Sequence, residues 1–201
     1  MKALDYVIIE ADSQYNNEVL LKNGTSIIIN TKIESVSNLN RIAKVVSVPK
    51  GIVLQEGDDI LFHHNILRKI NDHKGKVQQS DFYIKDNYFF VPLDMIFMYK
   101  RGDEDWSALS PYCFIKPIKE ELPVSKTGLI IPEKVKVGHK GMKKNRGIVA
   151  YDNPDLNNMC VFKGDEVLFK DHREYEFEIN EEIYYKMDNN SILGTVVKEA
   201  V

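Results

Sequence analysis

The sequence of 201 residues has little of what marks several common classes of protein. Its two cysteines, Cys113 and Cys160, are too few for a disulfide framework, and we predict both to be small buried hydrophobic side chains. No run approaches the ~18 apolar residues of a membrane span. The N-terminal residues contain no apolar stretch long enough for a secretion signal. We therefore expect a soluble, cytoplasmic protein with no membrane partner.

Motifs of catalysis and of metal binding are also missing. The chain has no P-loop, no GxSxG, no GxGxxG, and no CxxC or HxxxH spacing. Of its five histidines, His63 and His64 are adjacent on a predicted strand, so their side chains should point to opposite faces and not share an ion. We expect no enzymatic activity, no cofactor and no metal site.

Long helical periodicity is a further absence, because no window keeps an apolar stripe over three turns. Short runs rich in β-branched and aromatic residues are present instead, such as YVIIEA, IAKVVSVP and YFFVPL in the first half and YCFIKPI, DEVLFKD and EIYYKM in the second. Turn residues separate these runs. The pattern predicts an all-β fold made of small β-barrels.

Four features occur twice in the same order, which indicates a tandem duplication. EGDDILF (56–62) matches KGDEVLF (163–169), Tyr6 matches Tyr112, Asn40-Arg41 matches Asn145-Arg146, and residues 85–97 match 179–193. The acidic stretch between the copies contains Gly and Ser and ends in Pro, as linkers do. We predict a first barrel over residues 1–101, a linker over 102–110 and a second barrel over 111–201.

One segment, SKTGLIIPEKVKVGHKGMKKNRG (125–147), combines an apolar triplet with the composition of an exposed loop. It has seven Lys/Arg and four Gly, and it holds Leu129, Ile130 and Ile131 between Gly128 and Pro132. A β-branched triplet is common in buried strands, so a core strand is one interpretation. Pro132 cannot donate to a central ladder, which favours a loop.

The second copy resembles the GroES-type co-chaperonin subunit, the lid partner of the GroEL-type chaperonin ring. The opening strand of that family is similar to PYCFIKPIKEE. Its mobile loop and return strand are similar to KTGLIIPEKVKVGHKGMKKNRGIVAY. Its closing segment is similar to FKGDEVLFKDHREYEFEINEEIYYKMDNNSILGTV. The resemblance covers nearly all of residues 111–197 and, more loosely, 5–99. It implies two tandem GroES-like barrels.

The resemblance also implies a partner and a site. The mobile loop, about residues 120–146, would dock Leu129, Ile130 and Ile131, with Gly128 beside them, into an apolar groove of a chaperonin. Ile27, Ile28 and Ile29 in SIIINT are either a second anchor or a barrel strand. The subunits would form a homo-oligomeric ring, and ATP hydrolysis would belong to the partner.

The chain departs from the family in two respects. The hairpin that forms the roof of the dome is replaced by the shorter spans DNPDLNNMCVFK and PKGIVLQE, so the roof is expected to be reduced or absent. Two copies lie on one chain, as in plastid members; large phages carry divergent members, which leaves a viral source open. Two-barrel chains also cannot fill the seven docking positions of a family ring without a remainder.

Two rival functions stay open. The short roof spans and the weak first loop favour a structural or assembly protein that keeps the barrel without binding a chaperonin. The basic run from Lys134 to Arg146 suggests nucleic-acid binding, but this loop lacks the aromatic residues on which bases stack. We therefore expect no nucleic-acid partner.

Overall fold

The computed structural model describes residues 1–11, 18–21, 25–28, 39–119, 142–179 and 182–196. The chain divides into two compact units, Met1–Trp106 and Ser107–Val201. Every strand pairing among the described residues is antiparallel, and helix is confined to single turns. The all-β prediction is confirmed.

The described residues of the first unit form ten strands. They are β1 (Val7–Glu10), β2 (Glu18–Leu20), β3 (Ser26–Ile28), β4 (Ile42–Ser47), β5 (Asp59–Phe62), β6 (Ile70–Asn71), β7 (Val77–Gln78), β8 (Tyr83–Lys85), β9 (Tyr88–Val91) and β10 (Ile96–Lys100). Turns of 3-10 helix cover His64–Ile66 and Leu93–Met95. Six strands form the main sheet in the order β10-β5-β4-β1-β9-β8, while β2–β3 and β6–β7 are separate hairpins.

In the part of the second unit that the structure describes, there are seven strands and one α-helix. They are β11 (Ser107–Ala108), β12 (Tyr112–Lys119), β13 (Met142–Tyr151), α1 (Pro154–Asn158), β14 (Glu166–Phe169), β15 (Tyr175–Ile179), β16 (Glu182–Asp188) and β17 (Ile192–Thr195). A 3-10 turn at Asn189–Ser191 precedes the last strand. The main sheet has the order β17-β14-β13-β12-β16-β15.

The two main sheets have the same strand order along the chain. β10, β5, β4, β1, β9 and β8 of the first unit correspond to β17, β14, β13, β12, β16 and β15 of the second. In both units a 3-10 turn leads into the last of these strands, β10 or β17. Two runs of different sequence therefore fold with one topology.

Strand register makes the correspondence residue by residue. The pairing of β1 with β4 is interrupted between Ile8 and Ile9, and the pairing of β12 with β13 is interrupted between Phe114 and Ile115, two β-bulges at the same position. The register also corrects one predicted match. Ile42 pairs with Leu61, and Arg146 pairs with Leu168, the leucine at the same place after the second Gly-Asp turn. Arg41 therefore corresponds to Asn145. The predicted match of Asn40-Arg41 with Asn145-Arg146 is wrong by one residue.

The repeated Gly-Asp turn has the same hydrogen bonds in both units. Gly57 N donates to Val45 O and Gly164 N to Val149 O, each at 2.8 Å. Both glycines have a positive φ, +91° and +96°, which glycine adopts without steric cost. The aspartate after each glycine accepts from the backbone N–H three residues earlier, at 2.8 and 2.9 Å. In the first turn Arg101 also binds this carboxylate, that of Asp58, through two contacts of 3.0 Å.

Buried apolar residues occupy equivalent positions in the two cores. The second core contains Cys113, Ile115, Val149, Leu156, Val161, Val167, Phe169, Met187 and Ile192. Their buried counterparts in the first unit include Val7, Ile9, Val45, Leu54, Ile60, Phe62, Val91 and Ile96. Burying each such side chain contributes about 1.5–3 kcal/mol, so each unit has a substantial core of its own.

Candidate functional site

The principal candidate residues, Gly128, Leu129, Ile130 and Ile131, lie outside the described residues. The structure does describe the strands from which their segment starts and to which it returns. β12 ends at Lys119, β13 begins at Met142, and these two residues are paired across the antiparallel ladder. The two ends of the segment are therefore neighbours in the sheet, about 4.5–5.5 Å apart between Cα atoms.

The segment's first strand is held by a side-chain network near its end. Lys116 Nζ contacts Glu182 Oε1 at 2.6 Å, and the hydroxyl of Tyr184 donates to Glu182 Oε2 at 2.7 Å. The hydrogen bonds from Lys116 and Tyr184 lower the pKa of Glu182, while burial and the bond to this carboxylate raise the pKa of Tyr184. Lys116 and Glu182 are 66 positions apart in the chain, so sequence patterns did not indicate their contact.

The segment's second strand begins earlier than predicted. Residues 142–146, which were assigned to the mobile loop, belong to β13. Lys144 pairs with Asp171 at 2.6 Å and Arg146 with Glu166 at 3.6 Å. Part of the basic run from Lys134 to Arg146 therefore pairs with acidic side chains of the second unit.

The corresponding place in the first unit is occupied in part by a hairpin. β2 and β3 pair with Ile27 opposite Val19, and Leu21 N donates to Thr25 O at 2.8 Å. Ile27 is 52% exposed, although it lies in a strand. The backbone of Ile28 is also in β3, and Ile29 lies outside the described residues.

Both candidate segments lie between equivalent strands. Residues 11–41 connect β1 to β4, and residues 120–141 connect β12 to β13. Since β1 corresponds to β12 and β4 to β13, the fold places the two triplets in the same connection of the two units.

The span expected to lack a roof hairpin folds as a helical turn in the second unit. Residues 154–158 form α1, whose N-cap Asn153 accepts from Leu156 N at 2.9 Å. Leu156 and Val161 point into the core, so this span covers the barrel rather than extending from it. The Asn-Pro pair at 153–154 is a helix-start signal that sequence reasoning missed.

The histidine and cysteine predictions need correction. β5 ends at Phe62, and the chain continues as a 3-10 turn at His63 and His64 instead of as a strand. The two imidazole rings are stacked, with centroids 4.2 Å apart. The described residues contain no group of three or more metal-ligating side chains. Cys113 is buried as predicted, but Cys160 is exposed, since it follows α1 in a turn with φ +59°.

Comparison with known families gives a match to the second unit. Residues 107–196 match the family model described as the Chaperonin 10 Kd subunit. This match includes β12, β13 and the whole segment between them, and it fits a GroES-like barrel. It covers somewhat less than half of the chain, and the first unit shares its strand order with the matched unit.

Two further observations complete the comparison. No curated protein matches this chain closely enough to add a second resemblance. Among the described residues, no helix has the length and apolar character needed to cross a bilayer.

Proposed function

We propose that this protein is a co-chaperonin that caps a GroEL-type chaperonin ring and assists ATP-dependent folding of an enclosed protein. The observation that carries the proposal is the match of residues 107–196 to the Chaperonin 10 Kd subunit, because it includes the segment with the apolar triplet. In this proposal Leu129, Ile130 and Ile131 bind the chaperonin, and Gly128 gives the backbone freedom beside them. The protein itself has no catalytic role.

The energetics of such an anchor suit reversible binding. Burying three large aliphatic side chains would contribute about 1.5–3 kcal/mol each. Ordering the loop backbone would cost about 1–2 kcal/mol for each residue fixed. The terms nearly cancel, so a single loop binds weakly. Several loops on one ring bind firmly because each bound loop raises the effective concentration of the next.

The paired strands β12 and β13 suit a tethered anchor. The connection from Lys119 to Met142 has 22 residues (141 − 119), and both ends are paired in the sheet. At about 3.3 Å per residue, half of it reaches at most roughly 35 Å from the barrel. Lys116 and Glu182 form a half-exposed ion pair beside the departing strand.

The two units support a tandem assignment. Equal strand order, equal bulges and equal Gly-Asp turns are expected if residues 1–101 and 111–201 descend from one duplicated barrel joined by a linker at 102–110. The first unit would then offer Ile27, Ile28 and Ile29 as a second anchor. Subunits assemble as a homo-oligomeric ring in this proposal.

A second function is favoured by one specific observation. Between β13 and β14 the chain forms α1, and Leu156 of this helix packs into the core. A family member that closes a cavity uses a roof hairpin at this place. A structural or assembly protein that reuses the barrel without binding a chaperonin needs none.

Co-migration with a chaperonin tests the proposal. The wild-type chain should co-migrate with a GroEL-type ring in the presence of ATP, and the triple variant Leu129→Ser, Ile130→Ser, Ile131→Ser should not, because its triplet can no longer bury apolar surface. Circular dichroism should show that the variant is folded. A wild-type chain that never co-migrates, under ATP or ADP, would establish the assembly function instead.

A matched control separates the anchor from general surface hydrophobicity. Met159, Phe162 and Leu193 are apolar residues of the second unit that are 50%, 51% and 64% exposed. Their triple substitution by Ser removes a similar apolar area at another place. It should leave co-migration unchanged.

Ile27 tests the second anchor with an equally exposed control. Ile27 and Val53 are both 52% exposed and lie in the first unit. Ile27→Ser should weaken binding to the chaperonin about fivefold, equivalent to about 1 kcal/mol, and Val53→Ser should not. Equal affinities for both variants would show that only the second unit docks.

A further inference from the structure

The first unit contains a segment that the second unit lacks and that the proposed function does not use. Between β5 and β8 there are 20 residues (82 − 62), whereas the equivalent connection between β14 and β15 has five (174 − 169). We call residues 63–82 the insert. It includes a 3-10 turn and the β6–β7 hairpin.

The insert is basic in a chain of net charge −3. It holds four of the Lys/Arg residues, two aspartates and three of the five histidines. One of its aspartates, Asp72, is engaged within the hairpin turn, where its carboxylate accepts from the N–H groups of Lys74 and Lys76 at 2.8 and 2.9 Å and from Gln78 at 3.3 Å. With neutral histidines, the formal charge of the insert is +2 by composition (4 − 2).

A cavity of about 440 Å³ that is widely open to solvent lies against the insert, and Arg68, Ile70, Asn71 and Asp81 at its wall are exposed. The residues that line it and carry the argument are Arg68, Lys69, Ile70, Asn71, Asp81 and Phe82. Phe82 is half-buried with its ring edge-on to Phe90, centroids 5.4 Å apart, and Ile70 is 40% exposed. The cavity thus combines two cations, an amide, a carboxylate and an apolar wall within one unit.

We propose that this cavity binds a small phosphate ester that carries hydroxyl groups, of the size of a nucleoside monophosphate. A guanidinium and an ammonium on consecutive residues supply several charged donors for phosphate oxygens, and Asn71 adds an amide donor. The carboxylate of Asp81 accepts from a hydroxyl but repels a free phosphate, which favours an ester over the inorganic ion. Ile70 and Phe82 contact the apolar part of the ligand.

The surroundings of the cavity are electropositive before any ligand binds. Arg68 N donates to the carbonyl of His64 at 3.2 Å, which ties the cavity to the stacked histidine pair. Burial is the main cause that lowers the pKa of His64 to about 4, and the neighbouring His63, Arg41 and Arg68 contribute to the lowering. Positive potential at this place attracts an anion to the adjacent cavity.

Isothermal titration of the full chain with AMP, inorganic phosphate and adenosine tests this inference. AMP should bind at least tenfold more tightly than phosphate or adenosine, because only AMP offers both a phosphate and a hydroxyl-bearing apolar part. The double variant Arg68→Gln, Lys69→Gln should lose at least tenfold in AMP affinity. Asp81→Asn should bind inorganic phosphate more tightly and reduce the preference for AMP.

Arg173 supplies the matched control. It is an exposed arginine in the five-residue connection of the second unit that corresponds to the insert. Arg173→Gln should leave AMP binding unchanged. Absence of AMP binding at millimolar concentration, or an equal loss in the Arg173 variant, would overturn the inference. Since no chaperonin is present, the result is independent of the proposed co-chaperonin function.

Discussion

Asn153 is the residue whose removal should destabilise the second unit most specifically. Its Oδ1 accepts from Leu156 N at 2.9 Å and from the hydroxyl of Ser110 at 3.2 Å, and its Nδ2 donates to the carbonyl of Tyr112. It also exchanges two 3.0 Å hydrogen bonds with the amide of Asn189. One side chain thus joins the helix α1, the start of β12 and the turn before β17.

The cost of Asn153→Ala follows from these contacts. Loss of an N-cap costs about 1 kcal/mol. Asn153 and Asn189 are only 2% and 5% exposed, so the substitution removes both hydrogen bonds that the buried Asn189 amide makes to this side chain, at about 1–3 kcal/mol. Allowing for water that relieves part of this, we expect a loss of about 3 kcal/mol in the free energy of unfolding of the second unit.

Calorimetry and hydrogen exchange measure this loss. For a unit of 95 residues (201 − 106), it lowers the melting temperature by at least ~12 °C. Asn153→Ser keeps a capping oxygen and should recover about 1 kcal/mol. Asn190→Ala, at an exposed neighbour, is the control. If Asn153→Ala costs no more than Asn190→Ala, or if β1 loses as much protection as β12, the reasoning is refuted.

Three further predictions concern other residues. A Cβ on Gly147 would lie 2.3 Å from Ile115 Cγ2 and 2.8 Å from a backbone oxygen, so Gly147→Ala should cost about 2 kcal/mol in urea denaturation. The pKa of His64 is about 4 in the folded protein and 6.5 in the unfolded chain, so unfolding takes up a proton between these pH values. The free energy of unfolding should therefore fall by roughly 1 kcal/mol as the pH drops from 7 to 4.5. The fall should be smaller in His64→Asn. Cys160 is exposed and should react with a thiol reagent in the native protein. Cys113 is buried, its pKa is raised to about 12, and it should react only after unfolding. The opposite order of reaction would contradict the structure.

Features set by local chemistry were predictable from the sequence. The Gly-Asp turns were recognised because glycine is suited to the positive φ and aspartate to the backbone N–H that each turn requires. Strands such as β9 and β16 were recognised because β-branched and aromatic residues fill them. The all-β class followed from these runs.

Features set by pairing and by the end of an element were not predictable. The one-residue error at Arg41 arose because strand register depends on bulges in a partner strand that the sequence does not mark. His63 and His64 were assigned to a strand because apolar and aromatic residues precede them. The strand ends at the buried Phe62, and the 3-10 turn follows directly.

The sequence by itself determined the fold class, the two Gly-Asp turns and the apolar triplet, because each depends on residues close together along the chain. Only the tertiary structure decided that Lys119 and Met142 are neighbours, that Asn153 joins three elements, and that the insert lines a cavity. These contacts join residues distant in the chain, and their geometry is set by strand register and core packing rather than by local pattern.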